Sequence, residues 1–305
     1  MSLAGQATTG AQQAIGPARR IVVTGSIAAF ADLLDSALTA RGHDVLRVSS
    51  DRPEPVPATN VMLVESVPHQ PLREALVGAE VVVLLTGLGP VLAMVDDAAA
   101  LDLIEAYAAA GVTLIELSSF AVFGDRGPGG GAPVDEASEP RVPAGLEPVR
   151  AAELRTLATG EWLRPVVVRS GLVYSAGGGT LLSAAVDRAR NDGVSRYAGG
   201  PNDAYPLIHQ DDLVALLVRL CEDPGARGVY HAVGETIEAA ELARLVAAAA
   251  RVSPVQLWSD EDLAAELQAS GPLPRVSVRA RSTRGTTIGW SATAPSVVHE
   301  MRRTP

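Results

Sequence analysis

Short apolar runs recur along this chain, and after most of them apolar residues return at every third or fourth position. These are the signatures of buried strands and of helices with one apolar face. Arg20 to Thr24 (RIVVT) opens the series as a β-branched strand. A glycine turn follows, and Phe30, Leu33, Leu34 and Leu38 then mark a helix that stops at Arg41 and Gly42. Asp44 to Val48 predicts a second strand. Val81 to Leu85 (VVVLL) and Val112 to Leu117 (VTLIEL) are continuous apolar runs suited to a parallel sheet covered on both faces. Helices are expected around Asp96 to Ala110 and Glu153 to Leu163, a further strand at Val166 to Arg169, and one amphipathic helix from Ala239 to Ala250. Strand and helix keep alternating, which predicts an α/β fold with a doubly wound parallel sheet.

The pattern also shows where the alternation breaks. Pro53 to Pro57 marks a loop, and Gly124 to Pro148 is so rich in glycine and proline that it reads as a flexible loop or lid beside a site. After about residue 175 the rhythm weakens. The expected organisation is a flexible tail over 1–19, an α/β core over 20–175, and a small, mixed C-terminal lobe over 176–305 with segments returning to the core.

Composition narrows the function classes. With 305 residues, 47% of them hydrophobic, the chain can bury a full core without covalent staples. Its only cysteine, Cys221, excludes an internal disulfide and a cysteine-based zinc cluster; no metal site is expected, and the cytoplasm is the expected compartment. No apolar run is long enough for a bilayer span, so no membrane partner is expected. The formal charge of -10 and an aromatic content of 4% argue against nucleic acid as a partner. The arginines between Arg275 and Arg284 form the one basic cluster, expected to be exposed or to face a phosphate.

Several stretches resemble the extended short-chain dehydrogenase/reductases of the NAD-dependent epimerase/dehydratase kind. VVTGSIAAFADLLDSALTARGHDV looks like their first βαβ unit, whose TGxxGxxG keeps Gly25 but has Ala28 and Ala31 at the next two glycine positions. Ala28 puts a methyl group where phosphate oxygens would lie, while the helix N-terminus still offers free N–H groups. IELSSFAVFGD resembles the family's VSSxxVYGD, and VVVRSGLVYS, YPLIHQDDLVALLVRL, GVYHAVGETIEAAELARLV and TTIGWSATAPSVVHEM resemble later family segments in the right order. The resemblance spans Arg20 to Met301 and implies a Rossmann-type sheet. It further implies NAD or NADP at Thr24, Gly25, Ser26, Ile27, Ala28, Ser49, Ser50, Thr86, Gly87 and Ser118, a small-molecule substrate oriented by Ser119, and a homodimer paired through helices. At the end of the second strand Ser49 stands where an acid would grip the ribose, so NAD, NADP and no cofactor all stay open.

The family's YxxxK pair is missing. Anchoring on Glu153 as the trailing acid puts Gly145 and Val149 at the two positions; a shift by one puts Leu146 and Arg150 there. No tyrosine lies between Tyr107 and Tyr174, and the chain contains no lysine. Losing a general acid or base of this kind costs roughly 10²- to 10⁴-fold in rate. Glu147, Arg150, Tyr174, Tyr205 and His209 are the candidates to replace it. Each also has a structural reading: Glu147 as a solvated loop carboxylate, Arg150 as a surface helix residue rather than a ligand for phosphate or carboxylate, and His209 as a core histidine beside Asp211 and Asp212, which cap a helix. The expected function is an atypical NAD(P)-binding reductase, epimerase or dehydratase. The alternatives are a cofactor-independent cyclase, isomerase or lyase on the same fold, or a non-catalytic dinucleotide sensor.

Overall fold

A computed structural model describes residues 17–25, 28–49, 61–63, 69–85, 94–175, 180–259, 261–262 and 276–303. The first half alternates strand and helix, save that β3 follows β2 directly in the order of described elements: β1 (Arg20–Gly25), α1 (Ala28–Ala40), β2 (Asp44–Ser49), β3 (Val61–Leu63), α2 (His69–Leu76), β4 (Val81–Leu85), α3 (Met94–Tyr107), β5 (Thr113–Ser119), α4 (Glu147–Ala158) and β6 (Arg164–Ser170). The second half adds β7 (Leu172–Tyr174), α5 (Leu181–Asp192), β8 (Ser195–Tyr197), β9 (Ala204–His209), α6 (Gln210–Glu222), β10 (Gly228–Ala232), β11 (Glu235–Glu238), α7 (Ala239–Ala250), β12 (Val255–Leu257) and α8 (Val297–Arg303).

Seven strands form one parallel sheet in the order β10-β6-β5-β4-β1-β2-β3. Order reverses between β1 and β4, the switch point of a Rossmann sheet. Period-two alternation sorts the strand side chains between two cores. Ile21, Val23, Val83, Leu85, Ile115, Leu117, Val166 and Val168 pack with Phe30, Leu34 and Leu38 of α1 and with Leu213, Leu216, Leu217 and Leu220 of α6. Val22, Val82, Leu84 and Leu114 meet Leu72 and Leu76 of α2 and Leu101 and Ile104 of α3. Every residue of β4 is buried, as its VVVLL run requires. Outside this sheet, β11-β9-β7 and β12-β8 form two smaller sheets, and α5 and α7 pack over the former in a third core around Tyr174, Leu207 and Val246.

Two expectations change. The helix expected from Glu153 begins at Glu147, because Pro148 in its first turn continues a helix at no hydrogen-bonding cost. Its composition had read as loop. The stretch after β5 is also not a loose lid. Arg126 N donates to Ser277 O (2.8 Å), Ser277 N to Gly124 O (3.2 Å), Val134 N to Arg279 O (2.9 Å) and Arg281 N to Val134 O (2.9 Å). Phe120, Phe123, Val134, Leu146, Val149 and Val278 form a core of their own beneath these bonds. Two arginines of the basic cluster, Arg281 and Arg284, are engaged in this clasp, while Arg279 is exposed and Arg275 lies outside the described residues. Arg281 pairs with Asp135 at 2.6 Å, and the Arg284 guanidinium donates to the Arg227 and Val229 carbonyls on the outer edge of β10 (2.7 and 3.0 Å). Glu136 accepts from His231 N on the same edge (3.2 Å) and from Thr283 N (3.0 Å). Together these groups seal an edge strand that would otherwise offer free backbone groups to another chain.

Candidate functional site

The residues expected to act together lie at the carboxyl edge of the large sheet. Gly25 ends β1 beside Leu85 of β4, Leu85 lies beside Leu117 of β5, and Ser118 and Ser119 are the next two residues of β5. One strand thus separates Gly25 from the serine strand, about 10 Å at ordinary strand spacing. Gly25 has φ +120, and a Cβ there would stand 2.3 Å from the Leu85 carbonyl oxygen. The close approach of β4 alone demands this glycine, a reason the sequence motif did not supply. Thr24 is buried next to it.

Beyond Gly25, α1 starts at Ala28 with no acidic residue in its first turn. Asp32, in the second turn, is engaged by the buried Arg47 of β2. The amides opening α1 therefore face the edge with no carboxylate in that turn to compete for them, a donor set that fits a phosphate. Ser49 closes β2 on the far side of β1. Ser26, Ile27, Ser50, Thr86 and Gly87 lie outside the described residues.

The two serines do different work because they point to opposite faces of β5. Ser118 is fully buried and donates to Glu153 Oε1 (2.7 Å), so it does not itself reach a ligand. Ser119 accepts from Ala121 N (3.1 Å) as the cap of the short helical turn Phe120–Phe123, which leaves its hydroxyl proton available. Glu153, on α4, is the hub that the sequence reading used only as an alignment anchor. Arg169 grips it side-on (2.9 and 2.8 Å), and Arg150 donates to its Oε2 at 2.7 Å. Burial works against the Glu153 carboxylate, but the two guanidinium groups and the Ser118 hydroxyl outweigh it and hold the group below the ordinary glutamate range. The buried arginine that pairs it had no signal beyond an apolar run ending in RS.

The other candidates are placed elsewhere. Glu147 is exposed and accepts from Gly145 N (2.7 Å), closing the turn before α4. Tyr174 sits in the three-stranded sheet, 3% exposed, its hydroxyl within hydrogen-bonding distance of Glu235 Oε1 (2.8 Å) and Pro295 O (2.9 Å). Burial and the Glu235 carboxylate push its phenol well above the usual tyrosine range, so it is a poor proton relay. Tyr205 donates to Ala198 O (3.0 Å). His209 caps α6 itself by accepting from Asp211 N, while Asp212 turns away to hold the amides of Thr293 and Ala294; the expected aspartate caps are thus replaced by a histidine cap. Among the described residues no group of three His, Cys, Asp or Glu side chains could hold a metal, and no helix is long and apolar enough to cross a membrane.

Comparison with known proteins agrees with this architecture. Residues 21–234 match the NAD dependent epimerase/dehydratase family. The chain is similar to DesIV, a dTDP-glucose 4,6-dehydratase from Streptomyces venezuelae solved with NAD, at TM-score 0.74 and 15% identity over 93% of this chain and 95% of that one. It is similar to MoeE5 in complex with UDP-glucuronic acid and NAD (TM-score 0.70, 19% identity, 92% and 96% covered). A third is UDP-glucose 4-epimerase from Thermotoga maritima with UDP-glucose (TM-score 0.71, 17% identity, 93% and 96% covered). At these identities the likeness is one of fold. Uncharacterized protein C2A9.02 of Schizosaccharomyces pombe is 24% identical over 180 residues, 56% of this chain, and the match spans only 57% of that relative's length. On the family match across most of its length, this chain belongs to the NAD-dependent epimerase/dehydratase family of extended short-chain dehydrogenase/reductases.

Proposed function

We propose that the chain binds NAD or NADP along the carboxyl edge of its large sheet and there acts on a small molecule as a reductase, epimerase or dehydratase with a non-standard acid/base group. The observation that supports this most is the common edge shared by Gly25, the start of α1 and Ser119. In this reading the α1 amides, Thr24, Gly25 and Ser49 hold the dinucleotide, whose chemistry is hydride transfer, and Ser119 orients the substrate with the proton it keeps free. Arg150, at the start of α4, supplies a cation toward the substrate rather than the dinucleotide. Glu147 and Tyr174 are left to structural roles by their hydrogen bonds. The nucleotide sugars held by the solved relatives are the first substrates to test.

The absence of any lysine, and of a tyrosine at either Gly145 or Leu146, favours a second reading, in which the same edge serves a reaction without hydride transfer or a sensor that only binds. Calorimetric titration with NAD(H) and NADP(H) tests the first reading: micromolar binding is expected, and none at millimolar concentration would overturn it. In a binding-competent chain that turns over a nucleotide sugar, Ser119→Ala should lower the rate by at least about tenfold, while loss of the cap should keep the melting temperature within a few degrees of wild type. An unchanged rate removes Ser119 from the site.

A further inference from the structure

Arg150 gives one corner of its guanidinium to the protein and leaves a whole edge open. Nη1 donates to Glu153 Oε2 at 2.7 Å, while Nε and Nη2 have no partner among the described residues and the side chain stays 22% exposed. The anchor is rigid. Glu153 has no exposed surface and is gripped by Arg169, itself 2% exposed, and by Ser118. The neighbouring carboxylate that could neutralise Arg150, Glu147 three residues earlier, is turned back onto Gly145 N.

Two guanidinium groups, those of Arg169 and Arg150, share the carboxylate of Glu153. The side-on grip of Arg169 takes up its inner part, which leaves the Nε and Nη2 edge of Arg150 open among the described residues. Two parallel N–H bonds on a planar group match a carboxylate. Position separates this edge from the phosphate donors. Because α4 carries the chain back from β5 to β6, Arg150 lies one turn nearer the start of α4 than Glu153, on the side of β5 that Ser118 faces. The start of α1 lies on β1, two strands away from β5.

We infer that Arg150 is the receptor for a carboxylate borne by the substrate, held in a fixed direction by the buried Arg169–Glu153 pair. This rests on the proposed reading only in taking the carboxyl edge as the ligand site. The test uses the full chain and malonate as the probe, with inorganic phosphate beside it, in calorimetric titrations of the wild type, Arg150→Gln and Arg150→Lys. Malonate should bind the wild type in the millimolar range and more tightly than phosphate. The glutamine variant should weaken malonate about tenfold or more, and the lysine variant, which restores charge without the fork, should recover part of that. NADH affinity should stay within about twofold across the three. No malonate binding by the wild type, equal malonate affinity in Arg150→Gln, or a parallel fall in NADH affinity would each overturn the inference; the last would give the fork to the dinucleotide. If malonate discriminates among the variants while NADH binds none of them, the cofactor reading fails and the receptor stands.

Discussion

At the scale of single residues, strand alternation and backbone contact decide roles that residue type leaves open. Ser118 and Ser119 are adjacent and chemically identical, yet one is locked onto Glu153 and the other caps a turn with its proton free. Gly25 was read as the turn glycine of a phosphate motif, and the structure adds a separate demand: any side chain there would run into the Leu85 backbone. Gly25→Ala should therefore destabilise the protein itself, by about 2–4 kcal/mol from strain and overpacking, before any ligand is considered. A urea denaturation curve of the ligand-free chain checks this; an unchanged midpoint would mean that β1 and β4 can move apart cheaply. The sequence marks Glu153 as the trailing acid of the family pattern but not as a hub, because its partners Ser118, Arg150 and Arg169 come from two strands and its own helix.

At the scale of elements, the segment after β5 shows how composition misleads. Glycine and proline suggested mobility, but Gly124 to Val134 is bonded into a clasp with residues 276–284, and Pro148 opens a helix instead of preventing one. The clasp closes over His231 of β10, which has no exposed surface and packs edge-on against Phe120 (4.7 Å) and Phe123 (5.7 Å). Its Nδ1 meets the Arg281 carbonyl at 3.1 Å, and its Nε2 has no hydrogen-bond partner among the described residues. Burial pushes the His231 imidazole down from 6.5 to about 4. The unfolded chain takes up this proton near pH 6.5 and the folded chain refuses it until about 4, so His231 makes stability rise with pH between those values and adds no slope above them. Asp35, raised by burial to about 6, slopes the opposite way, so the difference between two proteins is the clean measure. Relative to wild type, His231→Phe should lose up to about 1.4 kcal/mol of slope per pH unit in that window, read from chemical denaturation at successive pH values. Identical profiles would show that the folded chain accepts the proton at its ordinary pKa.

At the scale of the whole molecule, the large sheet and its cover draw on both halves of the chain. The expected core over 20–175 contains six strands of the large sheet, but the seventh, β10, comes from beyond residue 225, and α6 supplies much of the apolar cover on one face through Leu213, Leu216, Leu217 and Leu220. A fragment ending at residue 175 would expose that face and the β6 edge. It should therefore show no cooperative unfolding transition, measured by circular dichroism during heating; a sharp transition would establish a free-standing core. The sequence by itself determined the α/β class, five of the first six strands and, by resemblance, the family, because buried parallel strands and amphipathic helices leave periodic apolar patterns that local physics dictates. Only the tertiary structure decided that residues 124–134 are clasped, that Tyr174 belongs to another sheet, and that Ser118, Arg150 and Arg169 converge on one carboxylate. Those outcomes depend on which strands become neighbours and which face each residue takes, and contacts between residues far apart in the chain leave no local trace in it.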